Sequence, residues 1–434
     1  MSNDKPQGVY ASYFASIVGE ENAVCLWENI ELGQQKRIQQ AIASGNPPSC
    51  IVYPRSQQQL AAVIATAHSN NWRVLPCGNS SKLNWGGLVK GIDVVVSTER
   101  LNQLIEHAVG DLTVTVEAGM KFSDLQALLA KSRQFLALDP AAPESATIGG
   151  IVATGDTGSL RQRYGSVRDQ LLGITFVRAD GQVAKAGGRV VKNVAGYDLM
   201  KLFSGSYGTL GFISQLTFRV YPLAEASGTV VLTGTAEAVS QAADILRGSA
   251  LTPVQADLLS TKLVSSLGLG EGLGLIARFQ SISESVKEQS NRVLEVGQKL
   301  GLDGAIYVDG DEASLWQRLQ ERIHYAATES VITCKIGVLP TAAVEILTQV
   351  ELGLIHIGSG LGLLQLESKN QVLKVRDRTQ AHRGFLTILE APVAVKEQID
   401  VWGYTGNALS LMRRIKEQFD SKNILSPGRF VGGI

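Results

Sequence analysis

The sequence predicts an α+β protein of two domains, and three observations support this prediction. At 434 residues the chain is long enough for two domains. Its 44% hydrophobic and 18% charged residues are typical of a globular protein with a substantial core. Short β-type runs alternate with amphipathic helices in two blocks that meet near Pro222. We therefore divide the chain into segments 1–46, 47–222, 223–392 and 393–434.

Segment 1–46 is predicted to be a helical extension. Apolar positions recur at helical spacing in YFASIVGEENAVCLW and IQQAIA, and Asn46-Pro47-Pro48 ends the pattern. From Cys50 the pattern changes. CIVYP and WRVLP are predicted strands on either side of a helix, SQQQLAAVIATAHSNN, for which Ser56 is the candidate N-cap.

The second of these strands leads into a loop of glycine and hydroxyl residues, PCGNSSKLNWGG at 76–87. Such a loop can present successive backbone N–H groups on a concave surface and bind an anion such as a diphosphate. An ordinary Gly/Ser turn is the alternative. Two more strands, GIDVVVST and DLTVTVEAG, and a helix capped near Ser123 are predicted next.

The stretch from Asp139 to Tyr221 is unusually rich in glycine. Thirteen glycines lie between Gly149 and Gly211, among β-type runs such as ITFVRA and FISQLTFRV. Glycine lets backbone approach a ligand closely and supplies positive φ in tight turns. The stretch therefore fits either a domain laid against a large planar or phosphate-bearing ligand or a turn-rich β-domain that binds nothing.

Segment 223–392 is predicted to be a second α+β domain. TVVLTG, PVQADLL, LGLIARFQ and CKIGVLP are its predicted strands, and TAEAVSQAADILRG and SESVKEQSNRVLEVGQKL are among its predicted helices. The tail, 393–434, contains a basic amphipathic helix followed by a turn at 423–429, and we expect it to return to the first domain.

Composition excludes several classes of function. Lys plus Arg and Asp plus Glu both number 40, and no basic cluster contains interleaved aromatic residues, so nucleic-acid binding is not expected. The cysteines, at positions 25, 50, 77 and 334, are too dispersed to ligate an iron–sulfur cluster. The N-terminus has no signal-peptide core, and the apolar run Leu352–Leu366 is too short to span a bilayer. We expect a cytoplasmic protein, either free or attached through a partner to the inner face of a membrane.

Two loops carry a resemblance to a known family. The first is Gly-x-Ser-Ser-Lys…Gly-Gly, from Gly78 to Gly87. The second begins at Asp139-Pro140, continues through Thr147-Ile148-Gly149-Gly150 and Tyr164-Gly165, and ends in Gly-Ser-Tyr-Gly-Thr-Leu-Gly at Gly205–Gly211. Together they resemble the FAD-binding domain of the vanillyl-alcohol-oxidase/p-cresol-methylhydroxylase (PCMH) type over residues 47–222. The runs Val191–Leu199 and Phe419–Arg429 are similar to the glycolate oxidase (glycolate dehydrogenase) group. The lack of a long catalytic domain of the D-subunit type, together with the tail TGNALSLMRRIKEQFD, resembles its E subunit in particular.

The resemblance implies a two-domain flavoprotein. A PCMH-type domain would bind FAD non-covalently, and a second α/β, ferredoxin-like domain would form a cap over the flavin ring. Residues 78–83 would wrap the diphosphate, and 147–150 would follow it toward the ring. The implied FAD-binding residues are Gly78, Asn79, Ser80, Ser81, Lys82, Leu83, Asp139, Thr147, Ile148, Gly149, Gly150, Thr154, Gly155, Gly165, Val167, Gly208 and Ile213. Lys192 and Asp198 would either lie near the ring or form an ion pair that shapes a loop.

The run His356–Leu363, HIGSGLGL, departs from the family pattern. Related D-2-hydroxy-acid dehydrogenases carry His-x-Gly-Asp-Gly-Asn-x-His there, and in this chain Ser359 and Leu363 replace the acidic residue and the second imidazole. A single imidazole is a poor metal site, so we interpret His356 as structural and expect no metal. The catalytic residues stay unknown, with His356, Lys335 and Arg376 as candidates.

The resemblance implies an FAD-dependent oxidoreductase acting on the CH–OH group of 2-hydroxy acids. As the FAD-binding subunit of a multi-subunit glycolate dehydrogenase, it would help oxidise glycolate to glyoxylate, as in a photorespiration-like glycolate pathway. Its partners would be a second FAD-containing glycolate oxidase subunit and an iron–sulfur subunit. Two alternatives stay open. The chain is a stand-alone, D-lactate-type dehydrogenase whose substrate carboxylate meets Lys335 or Arg376, or it is a non-catalytic flavin-binding scaffold.

Overall fold

A computed structural model describes residues 8–19, 22–188, 196–324 and 330–434. Lys192 and most of the run Val191–Leu199 lie outside the described residues. None of the helices in these ranges combines the length and the apolar character needed to cross a membrane. The described strands form three larger sheets and one two-stranded ribbon.

The first sheet is small and mixed. Its strands, in spatial order, are Val24–Leu26, Cys50–Val52, Val94–Ser97 and Val74–Cys77. The last three are parallel, and the first pairs antiparallel with its neighbour. The prediction of an all-helical segment 1–46 was therefore wrong at Val24–Leu26, because this three-residue run is too short to show alternation and is fixed by tertiary pairing.

Helices cover the first sheet. They are Gly8–Val18, the 3₁₀ turn Trp27–Asn29, Leu32–Gln39 and Gln57–Ser69. Ser56 caps the last of these as predicted, because its hydroxyl accepts the backbone N–H of Gln59 at 3.1 Å. The extension contributes core as well, since the fully buried Phe14 ring packs edge-on against Trp72 at 5.4 Å.

The second sheet is antiparallel and has five strands. In spatial order they are Leu104–Ala108, Thr113–Glu117, Phe212–Arg219, Leu171–Val177 and Val183–Gly187. A ribbon of Gln134–Phe135 and Tyr221–Pro222 lies beside it. The accompanying helical segments are Val109–Asp111, Phe122–Ala130, Ile148–Thr154, Arg161–Tyr164, Val167–Gln170 and Leu199–Phe203. The second of these begins at Phe122, one residue before the predicted cap Ser123, and no side chain caps it.

The third sheet is the largest and is antiparallel throughout. Its strands, in spatial order, are Asp303–Val308, Ala226–Gly234, Leu273–Ser281, Gln255–Leu259, Leu352–His356, Leu361–Leu366, Ile332–Gly337 and Phe385–Glu390. It is buried on both faces, since Val230 and Leu232 belong to one core and Val231 to another. The packed helical segments are Ala236–Gly248, Thr261–Ser266, Ser283–Lys299, Asp309–His324, Pro340–Ala342, Ala343–Leu347, Lys369–Ala381 and Val393–Lys396.

The C-terminal tail packs against the first sheet. After the helix Leu409–Phe419 the chain runs beside strand Val74–Cys77, where the Val74 N–H donates to Ile424 O at 2.7 Å and the Ser426 N–H donates to Val74 O at 3.0 Å. A buried ion pair, Lys416 Nζ to Asp420 Oδ2 at 2.6 Å, fixes this turn. A 3₁₀ turn, Val431–Gly433, ends the chain. The division of the chain at 46, 222 and 392 stays a prediction.

Candidate functional site: two adjoining cavities

A cavity lies between the loop that follows strand Val74–Cys77 and the helix Ile148–Thr154. We call it the first cavity. It contains about 690 Å³ of space, including its open mouth. It is lined by Pro76, Cys77, Gly78, Asn79, Ser80, Ser81, Lys82, Leu83, Thr98, Thr147, Gly149, Gly150, Ala153, Thr154, Tyr207, Gly208, Gly211, Phe212, Ile213 and Arg429.

The loop at 78–83 presents backbone donors to this cavity. Ser80 has φ +60°, a left-handed conformation that turns successive amides toward one side. The backbone N–H groups of Asn79, Ser80, Ser81 and Lys82 meet no acceptor in the described part of the chain. The Asn79 side chain donates to Ser145 O at 3.2 Å and so ties the loop to the segment before Thr147. The loop has the form of an anion-binding nest.

Glycines let the two sides of the cavity approach each other. A Cβ at Gly78 would lie 2.1 Å from Thr147 Oγ1, and a Cβ at Gly149 would lie 2.7 Å from the Ala118 Cβ. Thr147 is also the N-cap of the helix Ile148–Thr154, since its hydroxyl accepts the Gly150 N–H at 3.2 Å. Side chains at either glycine would therefore displace the wall of the cavity.

Two buried polar side chains in the loop lack hydrogen-bond partners. Ser80 Oγ has none, and Lys82 Nζ, although 3.1 Å from Asp156 Oδ2, is not aligned for a hydrogen bond. Buried polar groups are nearly always satisfied in folded proteins. Free amides, an unused hydroxyl and an ammonium group on one concave surface therefore fit a phosphate-bearing ligand.

A second cavity adjoins the first and contains about 740 Å³ of space, including its open mouth. Thr154 and Tyr207 line both. The second cavity lies between the segment 154–159 and the third sheet, and its lining contains most of the titratable groups near the site. Its polar lining residues are Asp139, Asp156, Thr157, Ser159, Gln255, Asp257, Gln320, His324, Lys335 and His356, and its apolar wall includes Trp85, Trp316, Leu319, Ile323, Leu354, Leu361, Leu363 and Leu389.

His356 and Asp257 form a buried pair in this cavity. His356 Nδ1 is 2.6 Å from Asp257 Oδ1, and the Ser159 hydroxyl donates to the same oxygen at 2.8 Å. Burial by itself lowers the pKa of His356, but the charge of Asp257 and the hydrogen bond to it outweigh burial, so that this pKa is raised. With Nδ1 directed at the carboxylate, Nε2 is the nitrogen left for another partner.

Asp139 lies in the same cavity and not in the first one, where it was predicted. Its carboxylate accepts the N–H groups of Gly158 at 3.0 Å and Leu160 at 2.9 Å, and the Gln255 side-chain amide at 3.3 Å. Burial raises the pKa of Asp139 to about 7, although these hydrogen bonds and the charge of His356 act in the opposite direction. The carboxylate thus shapes the turn at 158–160 and joins it to the third sheet.

Lys335 brings a cation to the second cavity. Its ammonium group has no ion-pair or hydrogen-bond partner among the residues that the structure describes. Burial lowers its pKa, with Asp156 raising it in part. Burial also lowers the pKa of His324. An accessible cation beside an imidazole–carboxylate pair is the chemistry that binds a small acid and moves a proton.

The structure places the predicted residues in three groups. Most of them line the first cavity, namely Gly78, Asn79, Ser80, Ser81, Lys82, Leu83, Thr147, Gly149, Gly150, Thr154, Gly208 and Ile213. Ile148 is buried beneath the cavity wall, and Gly155 ends the helix with φ +61°. Gly165 and Val167 lie outside both cavities, since Gly165 ends the helix Arg161–Tyr164 and Val167 is a core residue.

Two further candidates are placed away from the site. The Arg376 guanidinium donates to the carbonyls of Leu386, Asp400 and Val401 and lines neither cavity, so it is not available to a substrate carboxylate there. Asp198 pairs with Lys201 at 2.7 Å at the surface. In the described ranges no group of three or more His, Cys, Asp or Glu side chains is arranged to hold a metal ion.

Residues that the sequence analysis missed come from outside the two motifs. Asp257 and Gln255 lie on a predicted strand, but nothing in the sequence indicated that this strand faces the site. Arg429 stands in the similar C-terminal run, yet only the return of the tail to the first sheet brings it to the first cavity. The one signal for Arg429 in the sequence was its place in Leu-Ser-Pro-Gly-Arg, which belongs to the C-terminal run that is similar to the glycolate oxidase group.

Comparison with known proteins identifies a cofactor for this chain. Residues 48–187 match the family model described as FAD binding domain. The glycolate oxidase subunit GlcD of Bacillus subtilis is 23% identical, over 88% of this chain and 88% of that protein. The D-2-hydroxyglutarate dehydrogenase of Stutzerimonas stutzeri is 25% identical, over 88% and 90%. The mitochondrial D-lactate dehydrogenase [cytochrome] of Arabidopsis thaliana is 27% identical, but this chain covers only 50% of its length.

Solved structures share the fold. The structure of p-cresol methylhydroxylase with substrate bound matches with a TM-score of 0.73 at 15% identity, over 97% of this chain and 96% of that one. The 4-ethylphenol oxidase of Gulosibacter chungangensis matches with a TM-score of 0.74 at 15% identity, over 99% and 97%.

The fold and the first cavity therefore define a flavoprotein of mixed α and β structure with a PCMH-type FAD-binding domain. FAD is its cofactor. The predictions of fold class and cofactor are both confirmed. Within this class, the named relatives are enzymes of lactate, glycolate and 2-hydroxyglutarate oxidation.

Proposed function

We propose that this protein is an FAD-dependent oxidoreductase of small 2-hydroxy acids and serves as the E-type, FAD-binding subunit of a multi-subunit glycolate dehydrogenase. The observation that supports the reaction is the contact between the two cavities, one fitted to FAD and the other carrying a cation and an imidazole–carboxylate pair. The similarity to relatives named for lactate, glycolate and 2-hydroxyglutarate supports the substrate class.

The chain's residues would hold FAD mainly through backbone. The amides of Asn79 to Lys82 would donate to the diphosphate, and Gly149 and Gly150 would let it run close to the helix N-terminus. The Lys82 ammonium adds positive charge beside the loop. FAD, when bound, accepts the electron pair released as a CH–OH group becomes a carbonyl.

Residues of the second cavity would bind the substrate and move its proton. Lys335 would bind the carboxylate of the 2-hydroxy acid, since its charge has no partner in the described structure. In its neutral form, which prevails above its raised pKa, His356 would accept the hydroxyl proton at Nε2, because Asp257 holds Nδ1 and stabilises the imidazolium that results. The apolar wall around them excludes water.

Assembly into a complex is the second part of the proposal. The replacement of the second imidazole by Leu363 weakens the site relative to the related dehydrogenases, which supports a division of labour with a second FAD-containing subunit. An iron–sulfur subunit would carry the electrons away. The complex would work in glycolate metabolism, with the chain in the cytoplasm or at the inner face of a membrane through its partners.

The test is to purify the chain alone and with its co-expressed partners, and to record flavin content and glycolate-dependent bleaching of the flavin absorbance. We expect FAD in both preparations and rapid bleaching only in the complex. Lys335→Met should raise the glycolate KM of the complex ~10–100-fold, because a hydrogen bond to a charged group contributes about 1.5–3 kcal/mol. Lys287→Met, at an exposed position of the cap, is the control.

A second candidate function is stand-alone oxidation. The presence of both Lys335 and the His356–Asp257 pair in one cavity favours it. Full turnover of glycolate or D-lactate by the chain alone, with an artificial electron acceptor, would establish this function and contradict the complex. Bound FAD that no combination of partner and 2-hydroxy acid bleaches would contradict both and indicate a scaffold.

A further inference from the structure

The side chain of Arg429 is buried at the edge of the first cavity. It lies in the C-terminal tail, is 3% exposed, and lines the cavity together with the loop at 78–83. One end of the guanidinium is fixed, since Nη2 donates to Leu83 O at 2.5 Å and Trp85 O at 3.0 Å. Arg429 therefore holds the segment that continues the diphosphate loop.

The other end of the guanidinium is unused. Nη1 is buried and has no hydrogen-bond partner, and no carboxylate within the described ranges forms an ion pair with Arg429. Burial lowers the pKa of this group to about 10, which reflects the cost of a charge removed from water. A buried cation is retained where a partner compensates that cost.

Lys396 provides an internal comparison. It is also buried and donates to carbonyls of the same segment, those of Asn84 and Gly86, and to Leu389 O at 3.4 Å. Its three donors thus all have acceptors, and it does not line the first cavity. Of these two buried cations on one segment, only Arg429 lines the cavity and has a buried donor without a partner among the described residues.

We propose that Arg429 is an FAD-binding residue, whose Nη1 donates to an electron-rich oxygen of the bound cofactor. Because the site belongs to FAD, the inference rests on the FAD-binding part of the proposed function and is independent of the substrate and of the partners. Two oxygens of FAD have the required chemistry, a diphosphate oxygen and a carbonyl of the flavin ring. The C-terminal tail thus becomes part of the cofactor site.

The test compares Arg429→Met with Lys396→Met in the full chain. Both remove a buried cation that holds the segment 83–87, but only Arg429 lines the first cavity and has a donor without a partner among the described residues. FAD is titrated into each apo-protein and its fluorescence quenching gives the Kd, while the melting temperature of each apo-protein reports the structural cost. We expect Arg429→Met to bind FAD ~10–100-fold more weakly than Lys396→Met, as for loss of one charged hydrogen bond.

Arg429→Lys covers the case in which Arg429→Met does not fold. The lysine keeps a cation for the carbonyls of Leu83 and Trp85, but it lacks the second nitrogen of the guanidinium that would donate to FAD. FAD affinity should therefore fall while the apo-protein stays folded. Equal FAD affinity in Arg429→Lys, Lys396→Met and the unmodified chain would overturn the inference while leaving FAD binding intact. An unmodified chain that binds no FAD would overturn the proposed function itself.

ADP distinguishes the two oxygens, because it carries the diphosphate without the flavin ring. If Arg429 binds the diphosphate, Arg429→Met weakens ADP and FAD binding by the same factor. If it binds the ring, ADP affinity is unchanged and the flavin reduction potential in Arg429→Met shifts downward, since the lost cation favours the more anionic reduced ring. Unchanged ADP affinity together with an unchanged potential would contradict the inference.

Discussion

The two cavities are lined by different parts of the residues, main chain in the first and side chains in the second. The first is built largely from main chain, with the amides of Asn79 to Lys82 and the close approach of Gly78 to Thr147. The second is built from side chains, with Asp139, Asp257, His356 and Lys335 supplied by four separate segments. The first thus depends on local backbone shape, and the second on the packing of loops against the third sheet.

This difference indicates how readily substitutions can change cofactor binding in the first cavity and substrate selection in the second. A backbone site is fixed by glycines and turn geometry, so it suits a cofactor shared by many enzymes. A side-chain site changes with single substitutions, so it suits the selection of a substrate. The predictions below test whether the two cavities separate in this way, from the largest expected effect to the smallest.

Gly78→Ala should damage the first cavity most. The added Cβ would lie 2.1 Å from Thr147 Oγ1, so Thr147 must move and its cap on the Gly150 N–H is lost. Overpacking and loss of the cap each cost about 1–2 kcal/mol. We expect FAD affinity to fall ~100-fold and the melting temperature to fall as well.

Gly110→Ala is the matched control, because a Cβ there meets nothing within 4 Å. It should retain FAD affinity and melting temperature. FAD content and thermal melting of both variants check the prediction. Normal FAD binding by Gly78→Ala would show that the loop is not the cofactor cradle.

Asp257→Asn should destabilise the second cavity in a pH-dependent way. The pKa of His356 is raised in the folded chain above its ordinary value of about 6.5, so its protonated form stabilises the fold below pH 6.5. This contribution is lost as the pH rises through the raised pKa. The variant should therefore lose about 1.5–3 kcal/mol at acidic pH and less at alkaline pH.

Denaturant unfolding of both proteins between pH 5 and 9 measures this difference. FAD content should be unaffected, because Asp257 does not line the first cavity. A loss of stability that does not change with pH would contradict the pairing of Asp257 with a protonated His356.

Asp139→Asn should show the smallest effect, with a pH dependence of the same sign but a different cause. The folded pKa of Asp139 is raised to about 7 from about 3.9 in the unfolded chain, so the native carboxyl holds a proton that the unfolded one releases. Its contribution to stability therefore falls as the pH rises from about 4 to 7. At pH 5 the variant should be about 1 kcal/mol less stable, because the amide cannot accept both N–H groups.

This deficit should shrink toward pH 8, where the unmodified chain holds a buried charge that the variant lacks. Melting temperatures across pH 5–8 give the comparison, with Asp111→Asn as the control at an exposed position. A deficit that grows with pH would contradict the raised pKa.

Sequence alone predicted the first cavity well, because its determinants are local. Glycines and small hydroxyl residues at 78–83 and 147–150 specify tight turns and close approach of the backbone, whatever the rest of the fold. Ser56 as an N-cap and four of the eight strands of the third sheet have equally local signals. The edge strands Asp303–Val308 and Phe385–Glu390 were not predicted, because their pairing is tertiary. The inner strands Leu352–His356 and Leu361–Leu366 were not predicted either, because together they read as one apolar run broken by glycines.

The second cavity could not be predicted, because its members are far apart in sequence. Ser159, in the loop after the helix Ile148–Thr154, meets Asp257 only when that loop packs against the third sheet. Arg376 has the right charge for a carboxylate, but the direction of its helix turns it toward the carbonyl of Leu386. Asp139 stood in the FAD motif, yet its backbone partners at 158–160 place it in the second cavity.

A crystal structure of the FAD-loaded chain tests the central claim most directly. The account predicts diphosphate oxygens about 2.7–3.2 Å from the backbone nitrogens of the loop Asn79–Lys82, with the cofactor extending toward Thr154 and Tyr207. FAD bound elsewhere, or bound in the first cavity with those amides unused, would contradict it.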